Sequence, residues 1–211
     1  MRDAQEKYHV PYTEGQKMPN KQEGFIRDAE TRDIEKMLKI YAPFITDNAT
    51  SFELVVPTIE EFRDRVLMTQ KKFPWFVYEV NSEVVGYAYA SEHRSRCAYG
   101  WSVETSVYVD ANYQRNGIAR KLYAELFSTL KKQGAVNVFV GITLPGTKSV
   151  GFHESMGFEP IGIYKGVGYK FGNWHDVGWW QLVLQKLDSP SSVIAYSEFR
   201  PENVYSELLL D

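Results

Sequence analysis

The stretch Ser106–Tyr123, SVYVDANYQRNGIARKLY, decides how the rest of the chain is organised. Its first residues, together with those before them, form a β-rich run, its last begin a helical stripe, and between them lies the turn Gln114-Arg115-Asn116-Gly117-Ile118-Ala119. A helix that opens directly after such a turn leaves its first main-chain N–H groups without intrahelical acceptors, and its dipole adds partial positive charge there. Donors near Asn116, Gly117 and Ala119 are therefore free to meet an anion, the small Gly117 and Ala119 let it approach, and Arg115 and Arg120 add charge at the rim. A pyrophosphate suits this arrangement. An ordinary strand-to-helix turn is the alternative reading. A Walker loop is ruled out because no Gly-Lys-Ser/Thr follows, and a Rossmann fingerprint because the three-glycine spacing is missing.

Outward from this turn, Ile118, Ala119, Leu122, Leu126 and Leu130 form a helical stripe ending in Lys131, Lys132 and Gly134, a charge and residue choice that suits a helix C-terminus. Upstream, FVYEV (76–80), the turn Asn81-Ser82 and EVVGYAYA (83–90) predict a hairpin, and SVETSVYV (102–109) extends it as an antiparallel meander. Phe25-Ile26-Arg27 reads as a short first strand, and Ile34, Met37, Leu38 and Tyr41 as one face of a helix. Thr58 and Glu61 form a capping box for a second helix after Pro57, with the loop DNATSFELVVP (47–57) between the two. VNVFVGI (136–142) is a strand, Ser149 to Met156 a short helix closed by Gly157, and DVGWWQLVL (176–184) returns to β. A mixed α/β domain with one central sheet follows, at residues 24–187. Residues 1–23 and 188–211 read as extensions, the latter with a short helix spaced by Val204, Leu208 and Leu209.

The 211 residues, 44% of them hydrophobic, suit one domain with an ample core. A formal charge of −3 supplies no basic field, which argues against nucleic acid as the partner. The single Cys97 cannot form an internal disulfide, no apolar run is long enough for a bilayer, and the first residues lack the apolar segment of a secretory signal. The expected setting is the reducing cytoplasm, with no membrane partner.

Gln-x-x-Gly-x-Ala after Val-Tyr-Val resembles the acetyl-CoA motif of the GNAT N-acetyltransferases, where it grips the cofactor's pyrophosphate. ATSFE (49–53) with Pro57, WSVETSVYV (101–109), SVGFHESMGF (149–158) and GYKFGNWHDVGWWQ (168–181) are similar to the phosphinothricin N-acetyltransferase branch, from about Phe25 to Leu187. The resemblance implies a GNAT fold, a mostly antiparallel sheet of six to seven strands flanked by about four helices. It further implies acetyl-CoA as cosubstrate, no metal, a small amino-acid-like amine acceptor such as phosphinothricin or methionine sulfoximine, and a homodimer.

Strand alternation places Glu104 on one face with Ser106 and Tyr108, opposite Val103 and Thr105. A solvated strand carboxylate is one reading of Glu104; the resemblance implies a general base. It also implies that main-chain groups of Val107, Tyr108 and Val109 pair with the pantetheine arm and orient the acetyl carbonyl, and that Gln114, Arg115, Asn116, Gly117, Ile118, Ala119 and Arg120 hold the pyrophosphate. His153 stands where many acetyltransferases have tyrosine; it either meets the CoA sulfur or protonates the thiolate, or serves helix packing. Arg94, Arg96 and Tyr99 are implied to line the acceptor site, with Phe52 and Tyr123 as additional contacts and Glu53, Lys170, Trp174 and His175 as further candidates. Gly146 departs from the branch, whose members often carry an asparagine there that contacts the CoA arm. Acetylation of a protein N-terminus or other small amine, and a non-catalytic CoA-binding sensor, are the competing readings.

Overall fold

The computed structural model describes residues 24–199. In chain order the elements are β1 (Phe25–Asp28), α1 (Ile34–Thr46), α2 (Ile59–Gln70), β2 (Trp75–Val80), β3 (Glu83–Glu92), β4 (Ser102–Val109), α3 (Ile118–Gln133), β5 (Asn137–Thr143), α4 (Thr147–Glu154), β6 (Glu159–Lys170), β7 (Asn173–Val183) and the single turn α5 (Tyr196–Phe199). The strands form one seven-stranded sheet in the order β1-β2-β3-β4-β5-β7-β6. Every neighbouring pair is antiparallel except β4 and β5, which run parallel because α3 carries the chain back between them. This is the mixed, mostly antiparallel sheet expected from the sequence.

Local chemistry sets the boundaries. Asn81 and Ser82 both take positive φ, the geometry of a tight hairpin turn whose twist matches its strands. Thr58 and Glu61 exchange side-chain and main-chain hydrogen bonds at the start of α2, so the capping box forms as predicted. Gly134, at φ 99, closes α3. The helix expected over Ser149–Met156 instead spans Thr147–Glu154, since Gly146 in the left-handed region starts it and Ser155 caps it.

Alternation along the strands divides the core in two. On one face Leu122, Leu126 and Leu130 of α3 pack with Phe158 and Trp180 against Phe76, Val85, Ala88, Val103 and Val138. On the other, Met37, Ile40 and Ile45 of α1 and Phe62 and Val66 of α2 cover Trp75, Val77, Val84 and Tyr87. Truncating any such buried leucine, isoleucine or methionine to alanine typically costs about 2–5 kcal/mol, so both faces are held firmly.

Part of the segment read as a C-terminal extension lies against the domain. Ile194 and Gln133 exchange hydrogen bonds, the Trp101 indole donates to Ser191 O at 2.7 Å, and Tyr196 is buried, its hydroxyl donating to Asp28. Its apolar residues are too sparse for a periodic signal; main-chain hydrogen bonds and one aromatic anchor it. The expected helix at Val204, Leu208 and Leu209 and the extension over 1–23 lie outside the described residues.

Candidate functional site

The parallel pair β4/β5 is short. It runs Ser102↔Asn137, Val103↔Val138, Glu104↔Phe139 and stops, while β4 continues along β3 to Val109 and β5 continues along β7 to Thr143. A gap opens from Glu104 onward. Asp110 donates its N–H to Val85 O, so the even-numbered residues of β4 bond toward β3, and antiparallel alternation turns the main-chain groups of Thr105, Val107 and Val109 toward the gap. Those of Tyr108 belong to the β3 ladder. Val109 O accepts the Gln114 side-chain amide at 3.3 Å, which ties the following turn to the strand.

That turn is shaped as the sequence suggested. Arg115 and Gly117 take φ of 64 and 77, Gly117 precedes α3 with no side-chain cap, and a Cβ at Gly117 would meet nothing within 4 Å. The first intrahelical bond runs from Lys121 N to Gly117 O, so the N–H groups of Ile118, Ala119 and Arg120 lack helical acceptors. Asn116 bonds back to Tyr113 O at 3.2 Å and rigidifies the loop. The Ile118 side chain is buried in the α3 core, leaving only its main chain for a ligand. Arg120 reaches the Ser155 hydroxyl at 2.8 Å and so joins the start of α3 to the end of α4. An open anion cradle and a strand edge with outward amides thus lie at the two ends of one segment, a donor set that fits a pyrophosphate followed by an amide-rich arm.

The other face of β4 carries different chemistry. Glu104, Ser106 and Tyr108 point toward the α1/α2 side, where Tyr108 packs against Tyr41 and Phe44. His93, just beyond β3, donates Nδ1–H to Glu104 Oε1 at 2.9 Å. Its ring stacks on Phe139 and meets the edges of Tyr99 and Trp179. Of the residues expected at the acceptor, Tyr99 therefore adjoins Glu104 through His93. Arg94 is exposed and reaches the Tyr164 hydroxyl at 3.4 Å, and Arg96 is exposed beside the same turn.

The loop 47–57 closes over this side. Phe52 lies on Gly168, where any Cβ would fall 2.1 Å from its ring, and faces His175. Lys170, 4% exposed, donates to Ser51 O at 2.7 Å, and its loss of water lowers its pKa against the pull of Glu53. Tyr41 donates to Glu53, which Arg65 also pairs at 2.6 Å; burial pushes the Tyr41 hydroxyl up to about 12. Phe52 is half-exposed and Lys170 is spent on the loop's backbone. Trp174 is exposed on the far hairpin against Tyr169.

His153 and Tyr123 sit elsewhere. Tyr123 was expected at the acceptor, but it is fully buried in the α3 core among Phe127, Phe152 and Phe158, because its place in the Leu122–Leu126 stripe turns it inward. His153 is 6% exposed; Nδ1 donates to Ser149 O at 2.8 Å and Nε2 accepts the Tyr123 hydroxyl at 3.1 Å. Neither ring nitrogen is open to a ligand in this arrangement. Burial lowers the imidazole's pKa and raises the tyrosine's.

His93 escaped the motif reading. The signal was present: Ser91 lies opposite Glu104 in the β3/β4 register, so His93, two residues on, falls on the same face, but only a known register reveals it. Among the described residues no group of three His, Cys, Asp or Glu is placed to hold a metal ion, and no helix is long and apolar enough to cross a membrane.

A family profile described as an acetyltransferase (GNAT) domain matches residues 26–179. The phosphinothricin N-acetyltransferase of Streptomyces viridochromogenes is 37% identical over 168 residues, covering 80% of this chain and 92% of the relative. The L-methionine sulfoximine/L-methionine sulfone acetyltransferase of Salmonella typhimurium is 29% identical over 79% of this chain and 98% of its own. A crystal structure of a phosphinothricin acetyltransferase from Sinorhizobium meliloti in complex with AcCoA superposes with a TM-score of 0.77 at 28% identity, covering 82% of this chain and 98% of that one.

Proposed function

The chain belongs to the GNAT acetyltransferase family, and from that premise we propose that it transfers the acetyl group of acetyl-CoA to the amine of a small amino-acid-like acceptor of the phosphinothricin or methionine sulfoximine type. One observation carries the reading: β4 and β5 part at Glu104 itself, so a carboxylate stands where the strand gap begins. The two faces of β4 then divide the labour. The cradle at 114–120 and the outward amides of Thr105, Val107 and Val109 receive the cofactor, while Glu104, Tyr99 and the arginines Arg94 and Arg96 receive an acceptor bearing an amine and anionic groups.

Glu104 takes a proton from the acceptor ammonium, and the freed lone pair attacks the thioester carbonyl. Main-chain N–H groups facing the gap stabilise the oxyanion. As the carbon–sulfur bond breaks, the thiolate needs a donor. Tyr123, fully buried and donating to His153 Nε2, and His153, with both ring nitrogens bonded, do not reach it; the sulfur instead takes, through solvent, the second proton that the attacking nitrogen loses as the amide forms. Phe52 and the Lys170-anchored loop wall the acceptor side.

The exposed Ile161, Ile163, Tyr164 and Val167 of β6, an edge strand, suit a homodimer face, which light scattering tests. With one exposed cysteine and a net charge of −3, the chain suits the cytoplasm and a small-molecule rather than nucleic-acid partner. The deciding experiment is thiol release from acetyl-CoA across phosphinothricin, methionine sulfoximine, ordinary amino acids and short peptides. Turnover with the amino-acid analogues supports the proposal, turnover with peptides alone moves the acceptor, and cofactor binding without turnover indicates a sensor.

A further inference from the structure

We propose that His93 is a positioning residue for Glu104: its Nδ1–H fixes one carboxylate oxygen and leaves the other to take the acceptor's proton. The inference rests on the reading of Glu104 as the base. The hydrogen bond at 2.9 Å joins two residues of unequal exposure, the histidine side chain at 13% and the carboxylate at 34%. The histidine lies behind and the carboxylate faces outward.

Three separate elements hold the ring. Phe139 of β5 stacks on it at 4.4 Å between centroids and 18° between planes, while Tyr99 and Trp179 of β7 meet it edge-on at 6.0 and 6.1 Å. Phe139 is also Glu104's partner across the β4/β5 pair. The imidazole therefore braces the last paired rung before the gap opens, where a small displacement of the carboxylate would change its reach into the gap. A donor whose ring plane is fixed on three sides removes freedom from a carboxylate that would otherwise rotate in solvent.

The charges nearby leave this pair to itself. Glu92 pairs with Lys72, Arg94 reaches toward Tyr164, and the titratable groups facing the pair are Tyr99 and, from β3, Tyr89. His93 Nε2 has no hydrogen-bond partner among the described residues. Among these residues the ring thus directs its one hydrogen bond at Glu104. During transfer the ammonium gives one proton to the free Glu104 oxygen, and the Nδ1 proton stays on the ring.

The test compares His93→Phe, which keeps the stacking and loses the donor, with His93→Asn, which offers an amide N–H in its place, and runs Glu104→Gln alongside. The expected result is a fall in kcat of about tenfold for His93→Phe, a fraction of the 10²–10⁴ a general base supplies, with the KM for acetyl-CoA within about twofold of wild type. His93→Asn restores most of the rate, again with the KM for acetyl-CoA within about twofold of wild type. The proposal is overturned if both His93 variants match wild type in kcat while Glu104→Gln is inactive, or if His93→Asn restores nothing. If Glu104→Gln itself keeps the wild-type rate, the base assignment has failed instead. Thermal melts separate a folding defect from a kinetic one, and should His93→Phe not fold, His93→Leu takes its place as the variant without a donor.

Discussion

His93 and His153 both use Nδ1–H as a donor, yet one donates to a carboxylate at 2.9 Å and the other to a main-chain carbonyl at 2.8 Å. Around His153 the protein supplies Phe152, Phe158 and Tyr123, fills the second ring nitrogen and shuts out water. Around His93 it supplies Phe139, Tyr99 and Trp179 but leaves the second nitrogen open and the partner carboxylate half-exposed. The same side chain is a fixed strut in one place and an open-sided brace for a carboxylate in the other. The difference lies in what the far nitrogen meets.

The contrast breaks first at Glu104. Glu104→Gln should lower kcat/KM by about 10²–10⁴ without moving the melting temperature, measured by thiol release and circular dichroism, because it removes a base and leaves the strand intact. An unaltered rate would make the outward-facing site a bystander. Phe158→Ala, beside His153, should do the reverse: a loss of about 3–5 kcal/mol in urea unfolding, from the cavity left against Tyr123 and His153, with a smaller change in rate per folded molecule.

Tyr123→Phe sharpens the comparison further. It leaves His153 Nε2 buried without its donor, and a stability loss of about 1–2 kcal/mol in the same unfolding assay is expected. The smallest effect is on pH. The His153 pKa is lowered by folding, so the unfolded chain binds the extra proton first; the stability from the neutral ring is full above the unfolded value of about 6.5 and is lost as pH falls from there through the lower folded pKa. Urea midpoints at pH 7.5 and pH 5.5 measure that loss, and His153→Gln should flatten it.

Much of this was legible in the chain. The stripe Ile118–Leu130 and its glycine terminus, the Thr58–Glu61 box and the Asn81-Ser82 turn each appear where local propensity put them, since each depends on neighbours within a few residues. Glu104's face was legible for the same reason, as alternation has a period of two. Tyr123 faces inward with Leu122 and Leu126, so the stripe overrides the motif position that put it at the acceptor. Part of the segment after Leu187 was set aside as an extension because Tyr196 and Ile194 are too sparse to make a period, though main-chain bonds to Gln133 and Lys72 hold it in place.

Sequence alone determined the order of the elements, the glycine turn that opens α3 and the side of β4 on which a carboxylate would stand, because those follow from short-range sterics, hydrogen bonding and periodicity. Tertiary structure decided where β4 leaves β5, how His153 is enclosed and that His93 reaches Glu104. Each of these is a meeting of strands or helices far apart in the chain, fixed by register and by the shape of two packed cores, and neither quantity is written in any single stretch of residues.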